Sequence, residues 1–382
     1  MPRKRVLGIM INSLKLGGAE KVVFTLLERY CSEYDVHLIL LENRISFKID
    51  KRVKVKIISG NASKSGKYNL IMQALTLKRY IRESNISILQ SNLFRSNYVN
   101  IISKLLGSHH KVHIVDHSMP SRLASEGLSG LVHKLLIKLL YRYSDLSISV
   151  SKMVMEELQS LTMIKNRCLV INNPFEISKI IKLSHMEVTD VVFSDKFKYL
   201  ISVGRINKIK DYDTIIRAIN ELNVQNIRWL IIGEEEDVEV SSLYNKVKNK
   251  SIIQYLGPKM NPFKYIRACD ALIVSSKSES FGNVIIESML SQTLVISSDC
   301  GGPTELLFPG RAVGTIKKAE ILWGKYGILF PVGDEISLAK AIKVSLFDKA
   351  SINNLMKSGV ARSKKYSADA IFMQYRECIE AS

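Results

Sequence analysis

Residues 271–290 read ALIVSSKSESFGNVIIESML. The opening ALIVSS is a short apolar run with β-branched residues, the mark of a buried strand, and GNVIIESML has the composition of a helix. Between them lies the polar turn SKSESF, and Ser280 is expected to cap the helix. Two carboxylates, Glu279 and Glu287, stand eight residues apart across this unit. An apolar stretch this short excludes ionised carboxylates unless something offsets their desolvation. Gly282 lets backbone N–H groups approach a ligand closely, and the positive end of the helix suits a phosphate. Carboxylates are acceptors only, which suits the hydroxyls of a polyol. The unit therefore reads as a strand, a ligand loop and a helix, with one acid on the loop and one about a turn inside the helix.

The same strand-loop-helix grammar runs outward in both directions. Towards the N-terminus RVLGIMI, VHLILL, ISILQ, VHIV and LSISV alternate with the longer amphipathic runs EKVVFTLLERY, YNLIMQALTLKRYI, VNIISKLL, LVHKLLIKLLYRY and KMVMEEL. Five- and six-residue apolar runs interleaved with helix-period runs describe a parallel sheet covered on both faces. After CLVI and NNPF the pattern lapses, then restarts with KYLISVG, DYDTIIRAIN, IRWLIIG, SIIQYLG and TLVISS. The fold class is α/β, with two doubly wound, Rossmann-like parallel-sheet domains. The expected division is an N-terminal domain over 1–172, a linker over 173–196, a C-terminal domain over 197–360 and a terminal helix over 361–382 that returns towards the N-terminal domain. In open α/β sheets ligands bind outside the carboxyl ends of the strands. The loops to inspect are therefore NSLKLGGAE, DHSMPSR, VGRINKIKD, IGEEED, SSKSESFGN and SDCGGPTE.

Charge is unevenly placed along the 382 residues, whose net charge is +19. Residues 1–172 hold 27 of the 55 basic residues but only 12 of the 36 acidic ones, a net +15. A basic excess confined to one domain calls for a polyanionic partner, either nucleic acid or an anionic membrane face. The five cysteines (Cys31, Cys168, Cys269, Cys300 and Cys378) show neither CxxC pairing nor zinc spacing, which fits a reducing cytoplasm. The N-terminal apolar run is too short for a signal peptide and reads as a first strand, and no run of 18 apolar residues suggests a membrane span.

Five motifs now fall in order: Gly17-Gly18-Ala19-Glu20 after the first strand, His117 in VDHSMP, Arg205 and Lys210 in VGRINKIK, the pair Glu279 and Glu287 in ESFGNVIIE, and Gly301-Gly302-Pro303-Thr304-Glu305. Together they resemble glycosyltransferase family four, the retaining GT-B enzymes, over nearly the whole chain. The resemblance implies two domains facing across a cleft and a nucleotide-sugar donor, with UDP as the expected nucleotide and a hexose or N-acetylhexosamine as the sugar. It implies transfer with retention of the α configuration, and neither metal nor cofactor. By the same resemblance Arg205 and Lys210 neutralise the donor diphosphate, a task for which a rigid fork and a mobile ammonium are suited. Gly17 and Gly18 close over the phosphates and His117 hydrogen-bonds a hydroxyl of the transferred sugar. Glu279 orients that sugar, Ser280, Phe281, Gly282 and Asn283 cradle the diphosphate, and Glu287 takes the ribose hydroxyls. Two departures stand out: Asp211 replaces the glycine usual after the lysine, and the nucleotide loop Ile-Gly-Glu-Glu-Glu-Asp (232–237) is unusually acidic. Asp211-Tyr212-Asp213 also has the D-x-D form of a metal site, but acids at a helix start more often act as caps.

In LSGLVHKLLIKLLYRY (128–143), Lys134, Lys138 and Arg142 recur every four residues beside leucines expected to pack the helix onto the sheet. Such a helix can lie on anionic lipid. With the family resemblance, this makes the expected acceptor a lipid-linked or growing surface glycan, as in lipopolysaccharide or capsule synthesis, and the expected place the cytoplasmic membrane face. No nucleic-acid partner is expected, since the basic half carries no recognised binding motif. The competing class is a non-catalytic nucleic-acid- or glycan-binding protein using that basic half. A dehydrogenase is disfavoured because no strand is followed by GxGxxG.

Overall fold

The computed structural model describes residues 4–15, 17–58, 69–122, 127–162, 167–222, 226–347 and 349–382. The chain divides into two compact units, one formed by residues 1–175 with 366–382 and the other by 176–365.

In the first unit the order is β1 (Val6–Ile11), α1 (Gly18–Glu33), β2 (Asp35–Leu40), β3 (Lys54–Ile57), α2 (Leu70–Ser84), β4 (Ile88–Asn92), α3 (Phe94–Leu105), β5 (Lys111–Asp116), α4 (Leu128–Leu140), β6 (Leu146–Ser149), α5 (Lys152–Thr162) and β7 (Cys168–Val170). The strands lie in the order β3-β2-β1-β4-β5-β6-β7, every neighbouring pair parallel. The central strands are buried along almost their whole length because helices cover both faces, which is why they read as unbroken apolar runs. β3 is the edge, and its Lys54 and Lys56 keep that edge polar.

The second unit runs α6 (Ile177–Ser184), β8 (Lys198–Val203), α7 (Tyr212–Leu222), β9 (Ile227–Ile232), α8 (Val240–Lys246), β10 (Ile253–Tyr255), α9 (Phe263–Ala268), β11 (Ala271–Val274), α10 (Asn283–Leu290), β12 (Leu294–Ser298), α11 (Gly302–Leu307), β13 (Leu322–Trp323), β14 (Ile328–Phe330), α12 (Glu335–Phe347) and α13 (Lys349–Ser363). Its sheet is ordered β10-β9-β8-β11-β12-β14-β13 and is parallel except for the β13–β14 pair. Trp229 is wholly buried in this core; its indole N–H donates to Ser202 Oγ (3.1 Å), so its polar edge is satisfied. Residues 173–196, expected as a linker, contain α6, which packs on α9 and α10 within this unit.

The chain re-enters the first unit as α14 (Ala368–Glu380). Ser367 caps this helix through Ala370 N (3.3 Å), and Ile371, Phe372, Tyr375 and Ile379 join the apolar core that α1 covers. Phe372 meets the Tyr30 ring edge-on at 5.4 Å, and Arg29 pairs with Asp369 at 2.7 Å. The departing and returning strands are stitched together, Phe175 N donating to Tyr366 O (2.8 Å) and Ala368 N to Phe175 O (2.9 Å).

Each sheet has one switch point, where successive strands turn from one direction of growth to the other: β1/β4 in the first and β8/β11 in the second. Adjacent connections part there and leave a crevice at the carboxyl ends of the strands. The loop after β11 is held in place by α11, because a Cβ on Gly302 would overlap the backbone of Phe281. Alanine at 302 is therefore expected to cost about 1–3 kcal/mol, read as a lower urea midpoint for the second unit. A midpoint equal to the parent's would show that the 279–282 loop yields freely.

Candidate active site

Arg205 and Lys210 leave β8, and Glu279 to Asn283 leave β11, so all of them stand on one side of the second switch point. The two loops are bonded to each other. Ser275 Oγ donates to Lys210 O (2.7 Å), Lys277 N donates to Ile209 O (2.8 Å), and Lys210 Nζ donates to Glu279 Oε2 (2.6 Å). Gly302 N in turn donates to Glu279 O at 2.8 Å. Lys210 and Glu279 are mostly buried, so each keeps the other's charge compensated.

Asp211 has φ +50°, in the left-handed region. That is the physical reason a glycine is usual at this place, and aspartate is among the few side chains that tolerate it. Asp211 Oδ2 accepts from Thr214 Oγ1 (2.7 Å) at the start of α7, while Asp213 pairs with Lys246 at 2.8 Å. The two acids of the D-x-D sequence are thus engaged on separate partners.

Ser280 does not cap α10. The cap position is Gly282, in the left-handed region at φ +94°, and the Ser280 hydroxyl is buried with no partner among the described residues. Phe281 is buried, Asn283 opens the helix, and Glu287 lies in its second turn, only 9% exposed. The acidic loop after β9 folds onto the β8 exit. Glu236 binds the Arg205 guanidinium and also accepts from Asn207 Nδ2 (2.7 Å), while Asp237 accepts from Lys208 N (2.9 Å). A carboxylate therefore sits on each of the two cations expected to meet a diphosphate.

In the first unit Gly17 is the cap residue of α1 and Gly18 its first residue. A Cβ at 17 would collide with the Glu20 carboxylate, which turns back over the helix start from its third position. His117 follows β5, on the same edge of the sheet. With Asn12, Leu93, Phe94, Asp116, Ser118 and His133 it lines a cavity of about 240 Å³. Its Nε2 is 3.0 Å from Asn92 Oδ1, its Nδ1 is buried without a partner among the described residues, and burial lowers its pKa to about 4.

Asn92, Asn97, Asp116 and Tyr141 escaped the sequence reading. Asp116 is 1% exposed; its Oδ1 accepts from Tyr141 Oη (2.8 Å) and Asn97 Nδ2 (3.2 Å), and its Oδ2 has no partner among the described residues. Burial outweighs those two donors and pushes its pKa up to about 7. An acid immediately before His117 was the available signal.

Helix α4 corrects a further expectation. Most of its leucines face outward: Leu128, Leu131, Val132, Leu135 and Leu139 form an exposed stripe at helical spacing, with Leu128 83% exposed, while Leu136 and Leu140 are half-buried. The inner face is instead Gly130 and Ile137, with His133 stacked on Tyr98 at 5.8 Å. Lys138 and Arg142 are exposed and Lys134 is half-buried.

Two doubly wound units, each with its polar loops at the switch point of its sheet, define the GT-B class of glycosyltransferase. Residues 16–179 match the model of Glycosyltransferase Family 4 and residues 188–359 that of Glycosyl transferases group 1. The chain belongs to this family. It is 30% identical over 352 residues, 90% of both chains, to the N-acetylgalactosamine-N,N'-diacetylbacillosaminyl-diphospho-undecaprenol 4-alpha-N-acetylgalactosaminyltransferase of Campylobacter jejuni. A second enzyme of that organism, GalNAc-alpha-(1->4)-GalNAc-alpha-(1->3)-diNAcBac-PP-undecaprenol alpha-1,4-N-acetyl-D-galactosaminyltransferase, is 23% identical over 98% of both chains. In fold the chain is similar to Anabaena HepE, solved in complex with UDP and glucose, with a TM-score of 0.77, 19% identity and full coverage of both chains.

Asp116 allows a test of the cavity by pH. The folded chain holds this proton to about pH 7, while the ordinary value is 3.8. Across that window the folded state binds more protons than the unfolded one, so the contribution of Asp116 to stability falls as pH rises. Asp116→Asn keeps an acceptor for Tyr141 and Asn97 and has nothing to ionise. Its melting temperature relative to the parent is expected to rise from pH 4 to pH 7 and then level off; a difference independent of pH would remove the burial argument.

Proposed function

We propose that the chain transfers an N-acetylhexosamine or hexose from a UDP-sugar to a lipid-linked or growing surface glycan, with retention and without a metal. The observation that carries this reading is the pairing of the β8 and β11 exits through Lys210 and Glu279 at the switch point, with Arg205 beside them. The Campylobacter relatives named for N-acetylgalactosamine and undecaprenol-linked acceptors favour the amino sugar.

In this reaction the bond between the anomeric carbon and the diphosphate oxygen breaks, and the acceptor hydroxyl oxygen forms the new bond on the same face. The departing phosphate oxygen takes the hydroxyl proton. Lys210 and Arg205 turn from Glu279 and Glu236 to the diphosphate and stabilise its growing charge. Released from Lys210, Glu279 accepts from sugar hydroxyls, and Glu287 accepts from the ribose. The α10 start at Gly282 presents N–H groups to the phosphates.

UDP-N-acetylgalactosamine and the other UDP-sugars are to be screened with polyprenyl-diphosphate-linked acceptors. Arg205→Ala and Lys210→Ala are each expected to lower turnover about 100-fold or more, and EDTA to leave it unchanged. Near-normal turnover in either variant would remove the cation from the diphosphate, and loss in EDTA that manganese restores would transfer its task to a metal.

The membrane is the second partner in this proposal. The outward apolar stripe of α4, flanked by Lys134 and Lys138, suits an interfacial helix that buries its leucines among acyl chains and lets the lysines reach the head groups. No helix among the described residues is long and apolar enough to cross a membrane. Changing Lys134, Lys138 and Arg142 to glutamate is expected to weaken binding to anionic vesicles about 100-fold or more, at roughly 1 kcal/mol per basic residue. Activity on a short soluble acceptor should survive. Retention on DNA but not on vesicles would favour the nucleic-acid reading of the basic half.

A further inference from the structure

The imidazole of His117 is held from behind by a residue that no sequence motif marks. Asn92 ends β4, is 1% exposed, and its Nδ2 donates to Met10 O of β1 at 3.2 Å. A backbone carbonyl only accepts, so this bond fixes which end of the amide is nitrogen. Asn92 Oδ1 is then the atom 3.0 Å from His117 Nε2. An amide oxygen also only accepts, so the proton of the ring lies on Nε2, and Nδ1 is left with a bare lone pair.

We propose that Asn92 is a positioning residue: by holding the proton of His117 on Nε2 it reserves Nδ1 as an acceptor for a hydroxyl of the bound sugar. The inference rests on the glycosyltransferase reading and adds to it the direction of the hydrogen bond and the residue that sets it. A buried acceptor without a partner is costly in a folded chain, and a ligand hydroxyl supplies the missing donor. The cavity that His117 lines gives that hydroxyl a place. The titratable groups sharing this cavity are Asp116 from β5 and His133 from α4. Burial keeps the ring neutral through the physiological range, its pKa lying at about 4, so Nδ1 does not acquire a competing proton. His117 accordingly accepts and does not act as an acid.

The tautomer can be read without any assay of activity. In the full chain with its histidines labelled with ¹⁵N, and His117 assigned through His117→Gln, the free protein should show Nε2 protonated and Nδ1 bare at pH 7. Both should stay so down to pH 5. A ring that titrates near 6.5, or one carrying its proton on Nδ1, overturns the proposal. Adding UDP-N-acetylgalactosamine should move the Nδ1 resonance, whereas UDP alone should not. Binding heat with an unmoved Nδ1 resonance would overturn the hydroxyl contact and leave the donor reading intact. Absence of binding for every UDP-sugar would overturn both.

Kinetics supplies the second measurement. Asn92→Ala should lower kcat/KM about tenfold, as for one lost buried hydrogen bond, and let both tautomers appear in the spectrum. Asn92→Asp places a carboxylate on Nε2, favours the imidazolium and raises the pKa of His117. Activity of that variant should fall as pH drops through the raised value, where the parent stays flat. A variant with the parent's acid limb and an unchanged tautomer would refute the role of Asn92.

Discussion

The bond from Lys210 to Glu279 is the point on which the geometry of the second unit's switch point depends. It joins the exits of β8 and β11, which are neighbours in space but belong to connections that run opposite ways along the sheet. Two further bonds, from Ser275 to Lys210 O and from Lys277 N to Ile209 O, fix the backbones against each other so that the charged ends cannot drift. Asp211 takes its left-handed conformation in the same turn, carrying the chain from Lys210 into α7. The loop after β11 is closed from the other side by α11, where only glycine at 302 lets the backbones come so near. Glu279 is thereby placed by main-chain geometry, and its carboxylate needs little ordering when a ligand arrives.

The first unit solves a different problem, that of keeping polar groups inside an all-parallel sheet. Asn97 Nδ2 reaches Asp116 and Tyr141, its Oδ1 takes the Ser91 hydroxyl, and Asn100 Nδ2 donates to Leu89 O and Ser91 Oγ. The network lies between α3 and the carboxyl-terminal halves of β4 and β5, and it ends at the cavity. Buried polar chains of this kind are stable only when their members are satisfied. Asp116 Oδ2 and His117 Nδ1, two of the buried atoms with no partner among the described residues, stand on adjacent residues that both line the cavity. That coincidence is what distinguishes the cavity from an ordinary packing defect.

Much of this was legible in the amino-acid sequence because buried parallel strands write themselves as apolar runs: β1, β2, β4, β5, β8, β9, β11 and β12 all appear in it. The two-residue β13 and three-residue β14 are too short to carry a period, and β3 alternates lysine with aliphatic residues as an edge strand does. α6 was hidden because only eight residues of helix sit in a polar stretch. In the candidate site, Glu279, Lys210 and Arg205 were visible as charges in strand-exit loops. Asn92 was not, since an asparagine at the end of a strand is ordinarily a turn residue and only its bonds to Met10 and His117 set it apart. α4 misled for a physical reason: a helix periodicity shows which residues share a face, and says nothing of which face meets the sheet. Its buried face turned out to be the one built around Gly130 and Ile137.

Lys210 and Arg205 are both occupied by the chain's own carboxylates, and the two pairs differ in exposure. Lys210 and Glu279 have side chains 22% and 17% exposed, whereas Arg205 and Glu236 are 66% and 44% exposed. A partly buried charge left without its counter-ion is destabilising, so Lys210 has to exchange one anion for another and cannot be stripped first. An exposed pair is weak and screened, so Arg205 can leave Glu236 at little cost. In the proposed reaction a diphosphate therefore engages Arg205 first and then replaces Glu279 on Lys210. Glu279 is released only when that replacement is made. On that proposal the carboxylate assigned to the sugar becomes available at the moment the phosphates are in place, which would couple recognition of the two halves of the donor through a single ammonium group.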